Sequence, residues 1–158
     1  MRMKTVRIMV LSLLLAVHGL AWGGFNEGLE AARNGNYDTA MKEWKPLAEQ
    51  GDANAQYHLG VLYHNGLGVP QDYKQAMNWY RKAAQQGLAA AQYNLGVIYH
   101  NGNSVAQNYV QAYMWFSIAI ENGAAGATSN RDLTASKMTP AQITEAQRLA
   151  RDWAAKYP

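Results

Sequence analysis

From residue 51 onward the apolar positions follow a helical period. Ala55, Leu59, Leu62 and Tyr63 fall on one face of a helix that turns every ~3.6 residues. The pattern stops at Asn65, Gly66, Gly68 and Pro70, because glycine favours turns and proline has no amide donor. It resumes at Tyr73, Ala76, Met77, Tyr80, Ala83 and Ala84, with Asp72 placed to cap the new helix. Helix, break and helix predict a hairpin.

The hairpin is then written a second time. Residues 51–86 and 87–122 align without a gap and agree at 19 of 36 positions. A period of this length marks a unit that cannot bury its apolar face alone and must stack on its neighbours. Ser104, Ala106, Asn108 and Ile120 replace Gly68, Pro70, Asp72 and Ala84, so the second inter-helix loop is expected to differ, with Asn108 as its cap. Gly60 and Gly96 stand inside helices, where glycine costs about 1 kcal/mol relative to alanine. Close approach of the paired helix is the expected compensation. Trp79 and Trp115 are expected to fill the stack as large anchors, while Ala76, Ala83, Ala112 and Ala119 keep the crossings tight.

Downstream, residues 124–137 suit one more first helix, and Thr139, Pro140 and Gln142 open a last helix running to about Tyr157. Thr139 and Gln142 have capping-box spacing, and Pro140 stands where its missing N–H costs nothing. The polar face of Gln142, Glu145, Arg148, Arg151, Asp152 and Lys156 suits a solvated cap.

Upstream the pattern is of another kind. Arg2, Lys4 and Arg7 precede an apolar run from Ile8 to Trp22, interrupted by Ser12, His18 and Gly19, with no acid before Glu27. A basic start, an apolar centre and small residues at Gly19, Ala21 and Gly23 predict a secretory signal peptide over 1–23, cleaved near 21–24. The competing reading is an uncleaved anchor; the run is shorter than the ~20 residues a span needs. Cleavage would remove three of the fourteen cations and leave eleven against eleven acids. A neutral chain has little counterion-release drive toward phosphate, so no nucleic-acid partner is expected, and no stable membrane anchor after cleavage. The expected location is periplasmic or secreted, in a bacterial envelope.

Candidate chemistry is thin. The sequence has no cysteine, which removes a disulfide framework, a thiolate zinc site, a thiol nucleophile and a lipid-bearing cysteine. His58, His64 and His100 lack the paired spacing of a zinc-protease helix, and His58 and His64, six apart, diverge by about 120° on a helix. Ser104, Ser117, Ser129 and Ser136 have no nucleophile elbow, and Gly66 with Gly68 has neither a preceding strand nor a phosphate-binding lysine. Glu27 and Glu30 read as a favourable charge at a helix start. No catalytic residue, metal or cofactor is expected.

The string Ala55, Leu59, Gly60, Tyr63, Gly66, Gly68, Val69, Asp72, Ala76, Trp79, Tyr80, Ala83, Ala84, Gly87 resembles a full Sel-one-like repeat (SLR), a longer-looped relative of the tetratricopeptide repeat. The second unit keeps Ala91, Leu95, Gly96, Tyr99, Gly102, Val105, Ala112, Trp115, Phe116, Ala119 and Gly123. Residues 25–50, with Gly28, Ala32, Gly35, Tyr37, Ala40, Trp44 and Ala48, resemble a tetratricopeptide-like hairpin with a short loop at Asn34–Asn36. The resemblance implies an all-α, right-handed α-solenoid of about eight helices in four hairpins. It divides as a hairpin over 24–50, repeats over 51–86 and 87–122, and a partial repeat with capping helix over 123–158.

It also implies a protein-interaction adaptor or scaffold that binds a peptide or partner domain on a concave face. The family's groove positions fall on Asn54, Tyr57, Val61, His64 and Asn65, and one repeat on at Ala90, Tyr93, Val97, His100 and Asn101. This row is rich in aromatic and amide groups, which suits peptide recognition. Packing of Tyr57 and Tyr93 between adjacent helices accounts for the row equally well, and Asn65 and Asn101 also read as loop caps. Two other functions stand beside the adaptor. Some cysteine-rich relatives are associated with β-lactam or cell-wall chemistry, for which this chain lacks both cysteines and a replacement nucleophile. A structural repeat protein with weak self-association is the other, since an unclosed solenoid end can stack on a copy of itself.

Overall fold

The computed structural model describes residues 24–102 and 105–158, so the expected signal peptide at 1–23 lies outside the described residues. Eight helices and no strand are found among them. A first helix, α1, covers 24–33. It is followed by α2 (Tyr37–Glu49), α3 (Ala53–Asn65), α4 (Tyr73–Ala84), α5 (Ala89–Asn101), α6 (Tyr109–Glu121), α7 (Ala127–Ala135) and α8 (Pro140–Lys156). None is long and apolar enough to cross a membrane.

The helix ends sit where the local chemistry puts them. The Asp72 carboxylate accepts from the amides of Lys74 and Gln75, Asn108 accepts from Gln111, and Thr139 and Gln142 close a reciprocal capping box. α3 and α5 each stop at a glycine in the left-handed region, Gly66 at φ 67° and Gly102 at φ 73°, which returns its N–H to the preceding turn. Asn65, read as a loop cap, donates its amide to the Val61 carbonyl inside its own helix. The ends of the two inter-helix loops close identically despite their different interiors. Gln71 donates to the His64 carbonyl and Gln107 to that of His100, each at 2.7 Å. The Asp72 and Asn108 amides donate to the Tyr63 and Tyr99 carbonyls, each at 2.9 Å.

The helical glycines answer to close packing. A Cβ on Gly60 would stand 2.5 Å from a ring carbon of Tyr80, and one on Gly96 2.6 Å from a ring carbon of Phe116. Gly28 faces Trp44 in the same way in the first hairpin. In each hairpin the first helix thus carries a notch, and an aromatic ring of the second helix fills it. Successive hairpins are joined by a buried polar clasp. Gln56 donates to the Ala48 carbonyl and accepts from Gln86; Gln92 donates to the Ala84 carbonyl and accepts from Asn122. Gln56 and Gln92 are buried, so these bonds meet a satisfaction requirement that would otherwise count against the fold.

Two details depart from the expected stack. Trp115 is buried, with Trp153 of α8 packed edge-on at 4.6 Å, but Trp79 is half-buried, with the Lys82 ammonium 4.2 Å over its ring. It still packs on the core of α1, α2 and α3, so it fills the stack with one face and meets solvent with the other. The last two helices also do not close a fourth hairpin on one another: both pack against α6. α7 is nine residues long and buries only Ala127 and Thr134, which leaves it no apolar stripe to offer α8. α8 instead sets Leu149, Ala150 and Trp153 toward the core formed by α4, α5 and α6 and buries Ala146 on the same helix.

Candidate functional site

The first helices α3 and α5 present the expected row, and α7 lies beside α5 on the same side. Tyr57 and Tyr93, one from each repeat, line a shared depression of about 580 Å³ with Ala90 and Asn94. The turn between α6 and α7 closes it, through Asn122, Ala124 and Gly126. A second depression of about 250 Å³ is lined by Tyr93, Val97, His100, Asn101, Phe116, Asn130 and Leu133. Tyr93 belongs to the walls of both.

The remaining positions of the row lie apart from these walls. Asn54 is exposed at the start of α3, and Val61 is half-buried against the central core. His64 stands edge-on to Tyr73 at 5.1 Å and near Tyr80 at 6.3 Å, with its Nδ1 buried and unbonded. Tyr57 combines two roles, lying 5.9 Å from Tyr80 in the packing of the hairpin while one side faces the depression.

α7 engages the second repeat through a chain of hydrogen bonds. Asn130 donates to the Tyr93 hydroxyl at 2.7 Å, and the Thr134 hydroxyl donates to the Asn130 carbonyl at 2.7 Å. That bond uses the only hydrogen the hydroxyl has, so the 2.8 Å contact with His100 requires the imidazole to donate from Nδ1. Neutral His100 then keeps Nε2 as an acceptor. Burial lowers the pKa of His58, His64 and His100. Asp52 opposes the shift at His58, while Lys137 adds to it at His100. Burial pushes the Tyr80 phenol well above its ordinary value. Among the described residues no cluster of His, Asp and Glu could hold a metal ion.

The residues that sequence reasoning missed are Asn122, Asn130, Leu133 and Thr134. Asn130, Leu133 and Thr134 share one helical face by their spacing, but no repeat marks them, because α7 does not match the earlier first helices.

The model of the Sel1 repeat family matches residues 53–88 and 89–123, two residues out of phase with the units read from self-similarity. Residues 53–123 of the chain are two Sel1 repeats. A crystal structure of a protective antigen present in uropathogenic Escherichia coli strains, displaying an SLR fold, matches 90% of this chain at 38% identity with a TM-score of 0.83. A Sel1 repeat protein from Oxalobacter formigenes matches 80% of it at 31% identity with a TM-score of 0.65. The chain spans 31% of the first of these structures and 54% of the second. No curated protein matches it. Sel1 repeats in general mediate protein–protein interaction and build non-catalytic adaptors, and stacked repeats supply the extended surface for that role.

Proposed function

We propose that this Sel1-like repeat protein is an exported adaptor or scaffold of the bacterial cell envelope, which binds a peptide or a loop of a partner domain along α3, α5 and α7. The observation that carries the reading is the shared depression where Tyr57 and Tyr93 of consecutive repeats face the same space. Tyrosine gives large contact area at low entropic cost and is enriched at binding hot spots. Export is supported by the charge and length pattern of residues 1–23 and by the likeness to a protective antigen.

The test of the groove is the pair Tyr57→Ala with Tyr93→Ala, assayed by crosslinking and pull-down from periplasmic extract. Loss of the captured partner, with the helical circular dichroism and thermal midpoint nearly retained, supports the groove. Melting of the fold as severe as that from Trp115→Ala would assign the tyrosines to packing. Export is read separately, from the N-terminal mass of the protein recovered from the periplasm or medium. A mature start between Trp22 and Phe25 supports it, and an intact N-terminus in the membrane fraction overturns it.

A further inference from the structure

The helices that carry Tyr57 and Tyr93 stand out in their charge. α3 and α5 contain no Asp, Glu, Lys or Arg over 13 residues each. α4, the partner of α3, carries Lys74, Arg81 and Lys82; α6, the partner of α5, carries only Glu121, and α8 carries Glu145, Arg148, Arg151, Asp152 and Lys156. No charged residue lines either depression. The two charges on α7, Arg131 and Asp132, pair with one another at 2.8 Å. His100, the only titratable group of the smaller depression besides Tyr93, is held neutral at pH 7 by burial and by Lys137.

The walls nevertheless have definite chemistry. Asn94 and Asn101 supply amides, Asn122 and Asn130 supply the side-chain oxygens left by their engaged amide nitrogens, and Val97, Phe116 and Leu133 supply an apolar patch. Leu133 is 52% exposed, the one large hydrophobic side chain left so open among the described residues. A charged group brought against these walls would lose part of its hydration and meet no opposite charge among the lining residues. Backbone amides and carbonyls of an extended peptide, by contrast, match asparagine side chains and the Nε2 acceptor of His100, and an apolar side chain matches Leu133 with Val97.

Resting on the groove reading above, we infer that the partner segment is an uncharged, extended peptide stretch that seats an apolar side chain against Val97, Phe116 and Leu133. Affinity then comes from apolar burial and neutral hydrogen bonds, and salt has little hold on it.

A displayed library of random dodecapeptides, panned on the protein, tests this. The best binder is resynthesised and titrated at about 0.05 M and about 0.5 M NaCl, with an expected change in Kd of less than about twofold. Its contact core should lack Asp, Glu, Lys and Arg. Leu133→Ser, at an exposed position, should weaken it by about tenfold or more, as should Tyr93→Ala. Binders with charged cores, weakened by salt yet still dependent on Tyr93 and Leu133, overturn the inference and leave the groove standing. Binders indifferent to both substitutions, or no enrichment over bare resin, overturn the groove and the inference together. Neutral oligosaccharides bound at these residues in place of peptides do the same.

Discussion

His64 and His100 occupy the same position in two repeats that agree at 19 of 36 positions, yet they live in different surroundings. His100 gives its Nδ1 hydrogen to Thr134 of α7, whereas the Nδ1 of His64 is buried without a partner. The residue 34 positions beyond His100 is Thr134; the residue 34 beyond His64 is Ile98, a hydrocarbon. The tryptophans repeat the lesson. Trp115 is sealed by Trp153, while Trp79 keeps one face toward solvent and Lys82. In a stacked array the environment of a residue is set by the next unit along, and equal residues become unequal where the next unit differs.

The largest test of this asymmetry is the tryptophan pair. Trp115→Ala is expected to cost about 3–5 kcal/mol, the range for a buried aromatic truncation. Trp79→Ala should cost about 1–2 kcal/mol, since only part of its surface leaves water on folding. Denaturant unfolding measures both, and equal losses would erase the distinction.

The glycine notches provide the symmetric control. Gly60→Ala and Gly96→Ala each place a methyl group into an aromatic ring of the paired helix, so both should lose about 1–3 kcal/mol. The gain of about 1 kcal/mol in helix propensity works against that loss. Similar losses at the two sites show that packing within a hairpin repeats faithfully even where packing between hairpins does not. A rise in thermal midpoint at either would refute the close approach.

The smallest effect is in pH. Unfolded imidazoles take up a proton near pH 6.5, and the folded His58, His64 and His100 resist it to lower pH. Between pH 6.5 and the lowered folded values the unfolded chain binds more protons, so stability falls as the pH falls through that window and levels off below it. His58, stacked on Trp44 at 4.5 Å, and His100, bonded to Thr134, should each contribute to this slope. Thermal midpoints across the window for His58→Gln and His100→Gln should each show a shallower fall than the parent.

Much of the site was readable before any coordinates. Tyr57, Tyr93, Val97 and His100 stand on the walls of the two depressions, because first-helix positions repeat with the units. Gln56, Gln92, Gln71 and Gln107 could have been read as well: each pair is identical between the units, and each makes an equivalent bond. Asn130 and Thr134 could not, since they lie outside the repeated units and meet Tyr93 and His100 only across the stack.

The sequence by itself determined the helices, most of their caps, the period of the two repeats and the close helix approach at Gly60 and Gly96. These follow from short-range causes: a helical period, a side chain within reach of a nearby amide, and a missing Cβ at each crossing. The tertiary structure alone decided which copy of each repeated residue is covered. α7 settles on His100 and α8 on Trp115 because a final, unrepeated pair of helices packs on α6. No local rule carries that outcome, since burial depends on residues more than thirty positions away whose identity the repeat does not fix.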